Sequence, residues 1–471
     1  MNYKGLKFKC GLEVHRQLST HKLFCDCPSL VNDPAKASSI ITRKLRSTRG
    51  ETQEHDKAAA YEAQKDKTFV YEGTKDSSCL VEFDEQPPKE VNSKALTTAI
   101  QIAQLMDCEL IDQIQFMRKT VIDGSNPSGF QRTALIAVNG TIKTNKGKVG
   151  IESICLEEEA AKKIKTNKDG VTYRLDRLGV PLIEIATDAT IKDPEHAKEV
   201  AELIGMIIKS TGIARQGIGS VRQDVNVSIL DQPRIEIKGF QELKDIPLVI
   251  TKEVSRLLEM DKKKKVWEAH VRKSNPGGST SFLRPMPGAA RMYPETDVET
   301  ILIDKELLDS IELPELISEK TLKLEKQYNL PAHYARILVE DDNFTSFVDT
   351  FSSVKPKVIA QVLVEVPKEA KKRFKVNVTS EHIREVLELV HKGDISSNMI
   401  KEAVVDLAKG KKLDLKAYKG VTDKAIKDAI KGILAQQKEP SIGSVMGALM
   451  QQFQGKLDGK QASRLVAEAL K

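Results

Sequence analysis

Polar and apolar residues alternate with a period of two in two neighbouring segments, residues 222–229 and 234–238. This period predicts two strands, each with one apolar face and one polar face. The polar positions are Arg222, Asp224, Asn226, Ser228, Arg234, Glu236 and Lys238. Carboxylates and cations on one face of a sheet are typical of a site that holds a metal ion and a phosphate group.

The same alternation recurs elsewhere and again places acids on one side of a strand. Glu13 and His15 alternate with apolar neighbours, and Glu184 stands between two isoleucines. Three carboxylates, residues 157–159, follow a mostly apolar segment. Each segment alone is typical of a half-exposed antiparallel strand. Together they predict one acidic, metal-capable face of a sheet.

The first two thirds of the chain mix predicted strands with predicted helices, which indicates the α+β class. Further strands are predicted at residues 6–15, 133–138, 140–144, 150–156 and 181–185, and helices at 93–105 and 194–210. We therefore predict an antiparallel-sheet cradle domain over residues 1–305. Two polar, charge-rich stretches, residues 44–67 and 261–281, are predicted to be loops over the sheet or excursions from it.

Beyond this domain the pattern becomes helical. Helices predicted at 331–341, 356–365 and 380–391 form a helical domain over residues 306–408. Residues 409–471 are predicted to form a small helical tail domain. One helix of this domain is indicated by an apolar, core-facing stripe formed by Ile426, Ile430, Ile433 and Leu434. Two further helices are predicted at residues 441–453 and 461–470.

Composition narrows the class of protein. The chain has 471 residues, enough for several domains with buried cores. No apolar run approaches the length of a membrane span, and the first residues lack the apolar stretch of a signal peptide. Six cysteines in a chain of this length do not form a disulfide framework. We therefore expect a cytoplasmic protein with no membrane partner.

The net charge of +7 is concentrated at the C-terminal end. Residues 409–471 contain 13 Lys and Arg against 6 Asp and Glu, so the remaining residues sum to zero. A basic segment on a neutral body predicts contact with a polyanion such as a nucleic acid. The alternative is a lysine-rich solvated surface, since these basic groups are not densely packed in sequence.

Several motifs resemble, in order, the B/E family of glutamyl-tRNA amidotransferase subunits. These are GLEVH at 11–15, LEEEA at 156–160, RLGVPLIEI at 177–185, GSVRQDVNVS at 219–228 and EIK at 236–238. Arg118-Lys119 followed by GSNPSGFQ at 124–131 is similar to a loop of the same family. Three more segments resemble the archaeal E type rather than the bacterial B type, namely 79–88, 238–243 and 282–297. The resemblance covers nearly the whole chain.

The resemblance implies a function. The family converts Glu mischarged on tRNA(Gln) into Gln: ATP phosphorylates the γ-carboxylate, and ammonia from a partner subunit displaces the phosphate. It implies ATP and Mg²⁺ as cofactors, an asparaginase-like D subunit as ammonia supplier, Glu-charged tRNA(Gln) as substrate, and a heterotetramer of two D and two E chains. No nucleophile elbow or phosphate loop of the common type is present in the sequence.

The chemistry required agrees with the residues. Phosphoryl transfer to a carboxylate needs Mg²⁺ to bridge phosphate oxygens and cations to offset developing charge. The predicted catalytic residues are Glu13, His15, Glu157, Glu158, Glu184 and Asp224, with Mg²⁺ at Glu13, His15 and Glu158. The predicted substrate and phosphate contacts are Arg177, Arg222, Lys238, Arg118 and Lys119.

The chain departs from the family's pattern in two places. The archaeal E type carries an inserted domain that resembles part of an aspartyl-tRNA synthetase, whereas here only residues 261–281 occupy that region. B-type relatives carry a fuller set of paired cysteines, whereas here Cys25 and Cys27 have only Cys79 to join them. Asp76 or His21 would be the fourth ligand of a zinc ion. The alternative is three partly buried thiols without a metal.

Two other functions compete with the favoured one. A B-type subunit would act on both Glu-tRNA(Gln) and Asp-tRNA(Asn). A non-catalytic tRNA-binding protein on the same fold would need no metal, but acids clustered on one face repel tRNA unless they hold a cation. The sequence alone leaves open which molecule donates the ammonia and which tRNA bases are recognised.

Overall fold

The computed structural model describes residues 1–30, 36–46, 57–168, 170–240, 242–288, 291–418, 421, 423–437, 440–453 and 459–470. Residues 47–56 of the predicted loop at 44–67 lie outside these ranges, as do Gln241 and residues 289–290 of the E-type motifs. The chain divides into two compact units, Met1–Leu316 and Ile317–Lys471.

An eleven-stranded sheet dominates the first unit. Its strands are β1 (Lys9–Gln17), β4 (Glu109–Leu110), β6 (Phe116–Thr120), β7 (Phe130–Thr144), β8 (Gly147–Glu158), β11 (Pro181–Thr187), β12 (Val221–Ser228), β13 (Ile235–Phe240), β14 (His270–Ser274), β15 (Thr280–Pro285) and β16 (Met292–Pro294). They run in the order β15-β14-β13-β12-β1-β11-β8-β7-β6-β16, and β4 pairs with β7. The predicted α+β class is confirmed.

Most of this sheet is antiparallel, as predicted, but one pair is not. Strand β13 pairs with β14 in parallel, with Ile235 opposite His270 and Lys238 opposite Lys273. Helix α4 (Ile246–Lys262) connects the two strands, which is the crossover that a parallel pair requires. The prediction that residues 261–281 form a loop is therefore wrong, because β14 and the start of β15 extend the sheet there.

Three helices cover the apolar face of the sheet. Helices α2 (Ser93–Leu105), α3 (Pro194–Ser210) and α4 pack against strands β8, β1 and β12 respectively. Local capping explains why the first two were predicted with correct bounds: the side chain of Asn92 accepts a hydrogen bond from Ala95 N, and that of Asp193 accepts one from His196 N. The resulting core includes the apolar positions of the alternating strands, namely Leu12, Val14, Ile183, Ile185, Val225, Val227, Ile235 and Ile237.

Smaller elements complete the first unit. Strands β2 (Ser39–Arg43), β3 (Thr68–Gly73), β10 (Gly170–Arg174) and β9 (Lys162–Thr166) form a second sheet in that order, and β5 (Gln113–Ile114) pairs with β17 (Ile301–Leu302). Helices α1 (Lys57–Ala63) and α5 (Lys305–Asp309) belong here too. Part of the predicted loop at 44–67 is therefore helical. The predicted strands at 133–138 and 140–144 are one strand, β7, with a bulge.

The second unit is helical throughout its described residues. Its helices are α6 (Ile317–Tyr328), α7 (Ala332–Leu338), α8 (Asp342–Thr350), α9 (Pro356–Glu369), α10 (Ser380–His391), α11 (Ile400–Ala408), α12 (Asp423–Gln436), α13 (Ile442–Phe453) and α14 (Gly459–Ala469). A π-helical turn, Ala370–Phe374, follows α9. None of the described helices is long and apolar enough to cross a membrane.

Two separate hydrophobic cores lie in this unit. One extends from Leu330 to Tyr418, and the other joins α12, α13 and α14 through residues such as Ile426, Val445 and Val466. The predicted stripe on α12 faces this second core, with Ile426 and Ile430 buried. The division of the chain into three domains at residues 305 and 408 stays a prediction.

Candidate active site on the polar face of the sheet

The strand register brings the predicted acids together across four strands. Glu13 lies opposite Asp224 of β12 and Ala186 of β11, and His15 lies opposite Arg222 and Glu184. Cross-strand partners present their side chains to the same face of a sheet. The helices cover the other face, so these polar side chains lie on the open side.

One cluster of three carboxylates forms around Glu13. Carboxylate oxygens of Glu13, Asp224 and Glu236 lie within 4.8 Å of one another. Lys238 lies against this cluster: its Nζ donates to Asp224 Oδ2 at 2.5 Å and forms an ion pair with Glu236. Asn226 Nδ2 donates to Glu13 Oε1 at 2.9 Å. We call these three acids the Glu13 cluster.

A second cluster forms around His15. Ligand atoms of His15, Glu157 and Glu184 also lie within 4.8 Å of one another, and His15 Nε2 is 3.2 Å from Glu184 Oε2. Lys119 of β6 lies against it, donating to Glu157 and lying 3.5 Å from Glu184 Oε2. We call these three residues the His15 cluster. Each cluster therefore has three potential metal ligands, and one lysine lies beside it.

Burial and like charges set the protonation of these groups. Burial, reinforced by the neighbouring charge of Glu236, raises the pKa of Glu13. Burial and the charge of Glu184 likewise raise the pKa of Glu157. Burial opposes the charged forms of Glu184 and His15, but Lys119 lowers the pKa of Glu184, and Glu184 raises the pKa of His15. In both clusters, nearby cations therefore partly offset the cost of burying negatively charged carboxylates.

The oxygen-rich donor sets fit Mg²⁺. The ion prefers carboxylate oxygens, which the Glu13 cluster supplies exclusively. Two buried atoms on this face, His15 Nδ1 and Asn226 Oδ1, have no hydrogen-bond partner among the described residues. Buried polar atoms in this state are costly, so they are typical of a site completed by a ligand.

Two arginines lie beside the clusters in different environments. Arg222 Nη1 donates to Glu159 Oε1 at 2.9 Å, and Gln17 donates to the other oxygen of Glu159. Arg177 is directed at backbone instead, donating from Nε and Nη2 to the carbonyls of Ala160 and Ala161 at 2.8 Å. Burial lowers the pKa of Arg177. Arg222 lines the open site, whereas Arg177 supports the strand end that holds Glu159.

A large cavity opens next to both clusters. It has a volume of about 860 Å³ and is lined by His15, Arg222, Asp224 and Lys238 together with apolar and glycine residues. The apolar and glycine residues are Gly217, Ile218, Gly219, Val221, Gly239 and Phe240. Glu242 and Arg284 complete the lining. This size lies within the range of about 300–1,000 Å³ that is usual for small-molecule and cofactor sites.

Two predicted site residues lie on the opposite face of the sheet. Glu158 Oε1 accepts a hydrogen bond from Arg132 N at 2.9 Å, and Arg118 Nη2 donates to Glu295 Oε1 at 2.5 Å. Successive strand residues point to opposite faces, so Glu158 and Arg118 point away from Glu157 and Lys119. The predicted Mg²⁺ triad of Glu13, His15 and Glu158 is therefore not brought together. Glu157 and Glu184 lie beside His15 instead.

The cysteine motif forms a compact cluster with an acid that the sequence did not suggest. Potential ligand atoms of Cys25, Cys27, Cys79 and Glu82 lie within 4.8 Å of one another. Cys25 Sγ donates to Glu82 Oε1 at 3.0 Å, and Lys22 Nζ lies 3.1 Å from the same oxygen. The structure does not bring either predicted fourth ligand into this group: His21 Nδ1 faces the backbone carbonyls of Lys22 and Cys25, and Asp76 is not among the four residues.

Several residues of these sites were missed because their partners are distant in sequence. Glu236 stood in the polar pattern but was not chosen as a ligand, although its alternation with Ile235 and Ile237 carried the signal. Glu82 lies three residues after Cys79, a spacing that would have pointed to it. Glu295 is buried and pairs with both Arg118 and Arg132, and nothing local in the sequence indicates this.

Comparison with known protein families accounts for this arrangement. The model of the GatB/GatE catalytic domain matches residues 8–309, and the model of the GatB domain matches residues 342–470. The chain belongs to the GatB/GatE family. The first match contains both clusters and the large cavity, so the site lies within the family's catalytic domain.

Curated relatives match over the whole chain. A protein of Archaeoglobus fulgidus is 32% identical and one of Methanocaldococcus jannaschii is 33% identical, each over 100% of this chain and 99% of the relative. One of Thermococcus gammatolerans is 32% identical over 99% of this chain and 98% of the relative. All three are named as the E subunit of glutamyl-tRNA(Gln) amidotransferase. The first alignment spans 613 positions against 471 residues here, so that relative has a substantial stretch without a counterpart in this chain.

Glu295→Gln tests the arginine pairing on the far face. Burial favours neutral Glu295, but the hydrogen bond from Arg118 and the charge of Arg132 hold its pKa below the usual value. The stabilisation is therefore present above the unfolded-state pKa and is lost as pH falls through the lower folded-state pKa. We expect the variant to lose about 3 kcal/mol of unfolding free energy at pH 7.

Urea unfolding of the full chain measures this effect, and Asp297→Asn is the matched control. Asp297 also contacts Arg118, at 3.1 Å, but its side chain is 49% exposed, so its loss should cost less than about 1 kcal/mol. The difference between wild type and Glu295→Gln should shrink as pH falls below about 4.5. A difference that stays constant with pH would contradict the pairing.

Proposed function

We propose that the chain is the kinase and transamidase subunit that converts Glu-tRNA(Gln) into Gln-tRNA(Gln). The observation that carries the proposal is the pair of three-ligand clusters, each with its own lysine, beside a cavity of nucleotide size. The names of the relatives supply the substrate. ATP and Mg²⁺ belong to the proposal because phosphoryl transfer to a carboxylate uses such a site.

The reaction balances in two steps. In the first, an oxygen of the glutamyl γ-carboxylate attacks the γ-phosphorus of ATP, the bond to the β,γ-bridging oxygen breaks, and ADP leaves. In the second, ammonia attacks the acyl carbon and the bond to the phosphate oxygen breaks. The amide forms, and the proton that nitrogen loses leaves on inorganic phosphate.

The clusters supply charge at the places where the first step needs it. The Glu13 and His15 clusters would each hold one Mg²⁺, which neutralises phosphate oxygens and polarises the γ-phosphorus when bound. Lys238 and Arg222 line the cavity and are the residues proposed to contact the phosphates. Lys119 is proposed to keep Glu157 and Glu184 ionised, since it pairs with both.

Ammonia is proposed to come from a separate, asparaginase-like D subunit in a heterotetramer of two D and two E chains. The sequence has no nucleophile elbow with which this chain could release ammonia itself. The acyl phosphate is labile in water, so delivery through a closed passage would protect it. A reducing cytoplasm is the compartment proposed for this assembly.

Glu13→Gln and Glu184→Gln test the two clusters separately. Each substitution removes one ligand charge while keeping the size of the side chain. We expect each to reduce amidation of Glu-tRNA(Gln), with ammonium chloride as nitrogen donor, on the order of 100-fold or more. Binding of tRNA should change little, because neither residue lies in the basic tail.

The matched control is Glu259→Gln, an exposed residue on α4 that lines neither cluster nor cavity. It should retain wild-type turnover. ADP release measured in the presence of Glu-tRNA(Gln) reports the first step alone. Normal ADP release in both cluster variants would refute the assignment of the metal sites.

The cysteine cluster is proposed to hold a structural zinc ion through Cys25, Cys27, Cys79 and Glu82. Three sulfurs and one oxygen within 4.8 Å of one another fit a tetrahedral Zn²⁺ site. Burial and the charge of Glu82 raise the pKa of Cys25, and the same causes raise the pKa of Cys79 to about 11, so the thiols stay protonated unless a metal replaces the protons. Buried Lys22 would offset the negative charge of such a site.

Cys27→Ser tests this site. We expect metal analysis of purified wild type to find about one equivalent of zinc per chain and the variant to lose most of it, together with a lower Tm. Cys108→Ser is the control, because Cys108 lies outside the cluster and should leave the zinc content unchanged. Wild-type protein without zinc after purification from zinc-containing medium would contradict the proposal.

The tail is proposed to bind the tRNA backbone through its lysines. Lys424, Lys427 and Lys431 are exposed on α12 at a spacing that places them on one side of the helix, away from buried Ile426 and Ile430. Replacing all three by Glu should weaken tRNA binding and make its dependence on salt shallower by up to roughly 3 in log–log slope. Binding isotherms across a salt series measure both.

A control with the same change of charge separates this effect from net charge. Lys262, Lys263 and Lys265 are also exposed but lie in the first unit. Replacing these three by Glu should leave the slope closer to that of wild type. Equal slopes for wild type and the α12 variant would mean that its lysines are only a solvated surface.

A further inference from the structure

A second, smaller cavity lies on the same sheet face at the opposite end of the β1–β12 pair. It has a volume of about 170 Å³, and its lining includes Gly11, Glu13, Glu152, Ala186, Asn226 and Arg234. The large cavity is lined by His15, Arg222 and Asp224 of the same two strands. The Glu13 cluster therefore lies between the two cavities.

Small residues create this space. Gly11 lies opposite Asn226 across the strand pair, and Ala186 lies opposite Glu13. A Cβ added at Gly11 would lie 3.1 Å from the carbonyl oxygens of Thr187 and Asp188, so even a methyl group is crowded there. Gly11 therefore allows the Thr187–Asp188 backbone to approach β1 closely, and the small side chain of Ala186 leaves space beside Glu13.

Acceptors and two cations line the cavity together: the cations are Arg234 and Lys9, whose Nζ lies 3.4 Å from Asp231 Oδ1. Asn226 Nδ2 donates a hydrogen bond to Glu13 Oε1, whereas Asn226 Oδ1 is buried and has no hydrogen-bond partner among the described residues. Glu152 is exposed at the β8 bulge, next to Ser153, which shares a cross-strand row with Ala186 and Glu13. An acceptor and a carboxylate around one small space suit a ligand that carries an ammonium group.

The size excludes a nucleotide and fits an amino-acid moiety. At about 170 Å³ the cavity is below the usual range of about 300–1,000 Å³ for drug-sized ligands. Same-face positions along a strand are about 7 Å apart, which separates the Asn226 row from the Asp224 row. In a glutamyl group four bonds, roughly 5 Å when extended, join the α-nitrogen to the γ-carboxyl carbon.

We infer that this cavity binds the glutamyl moiety of the aminoacyl-tRNA, with its α-ammonium at Asn226 Oδ1 and Glu152 and its γ-carboxylate directed at the Glu13 cluster. The inference rests on the proposed function and adds to it the place of the acceptor. ATP in the large cavity and glutamyl in the small one approach the cluster from opposite ends of the same strands.

Two variants of the full chain test this, with ammonium chloride as nitrogen donor. Ala186→Leu fills the cavity, and Glu152→Gln removes the exposed carboxylate; Glu259→Gln is again the control of equal charge change. We expect Ala186→Leu to raise the KM for Glu-tRNA(Gln) on the order of tenfold or more. Its affinity for a non-hydrolysable ATP analogue should stay within about twofold of wild type, because the nucleotide lies elsewhere.

N-acetylglutamyl-tRNA tests the ammonium contact directly. Acetylation removes the positive charge, so wild type should use it on the order of tenfold less well than Glu-tRNA(Gln). Glu152→Gln should lose most of this preference, whereas Glu259→Gln should keep it. Glu152 is exposed, so this variant is informative even if Ala186→Leu does not fold.

The outcomes distinguish a failure of the proposed function from a failure of the assignment of the small cavity. A wild type that binds Glu-tRNA(Gln) but never yields Gln-tRNA(Gln) overturns the proposed function, and the inference with it. An active wild type whose KM and preference are unchanged by either variant overturns the inference alone. So does an Ala186→Leu variant that weakens binding of the ATP analogue, or one that raises the KM for ammonium while leaving that for Glu-tRNA(Gln) unchanged.

Discussion

Repulsion among carboxylates on one sheet face is the constraint on which this site depends. Ionised acids within 4.8 Å of one another in a partly dehydrated environment are unfavourable unless cations accompany them. Lys238 and Lys119 meet that need at the two clusters. Lys238 comes from β13 and Lys119 from β6, so strands across the width of the central sheet take part in offsetting the charge of the acids.

The alternating pattern makes this face and the hydrophobic core inseparable. Leu12, Val14, Val225 and Val227 are buried in the core, so the side chains that alternate with them point to the open face. A slip of the β1–β12 register by one residue would bury Glu13 in the core, at a cost of several kcal/mol for an unpaired charge. The apolar core therefore fixes the register, and the register fixes which acids meet.

This coupling explains what the sequence could and could not predict. Period two placed Glu13, His15, Glu184, Asp224 and Lys238 on one face, and the structure agrees, because alternation is a local property of a strand. The prediction failed where two adjacent residues were both assigned to the site, because neighbours in a strand point to opposite faces. Glu157 and Glu158 therefore cannot share a face, nor can Arg118 and Lys119. It also failed where a partner comes from a distant loop, as with Glu295 and Glu82, since pattern carries no information on long-range contacts.

The same lysines bear on how the proposed metal sites would work. Lys238 pairs with Asp224 and Glu236, and Lys119 pairs with Glu157 and Glu184, so each ammonium group offsets the charge of one cluster. If Mg²⁺ binds to the acids as proposed, the long, flexible stems of the lysines would allow their ammonium groups to turn toward the phosphate oxygens. Arginine would suit this exchange less well, because its planar fork favours a fixed bidentate geometry over a mobile point charge.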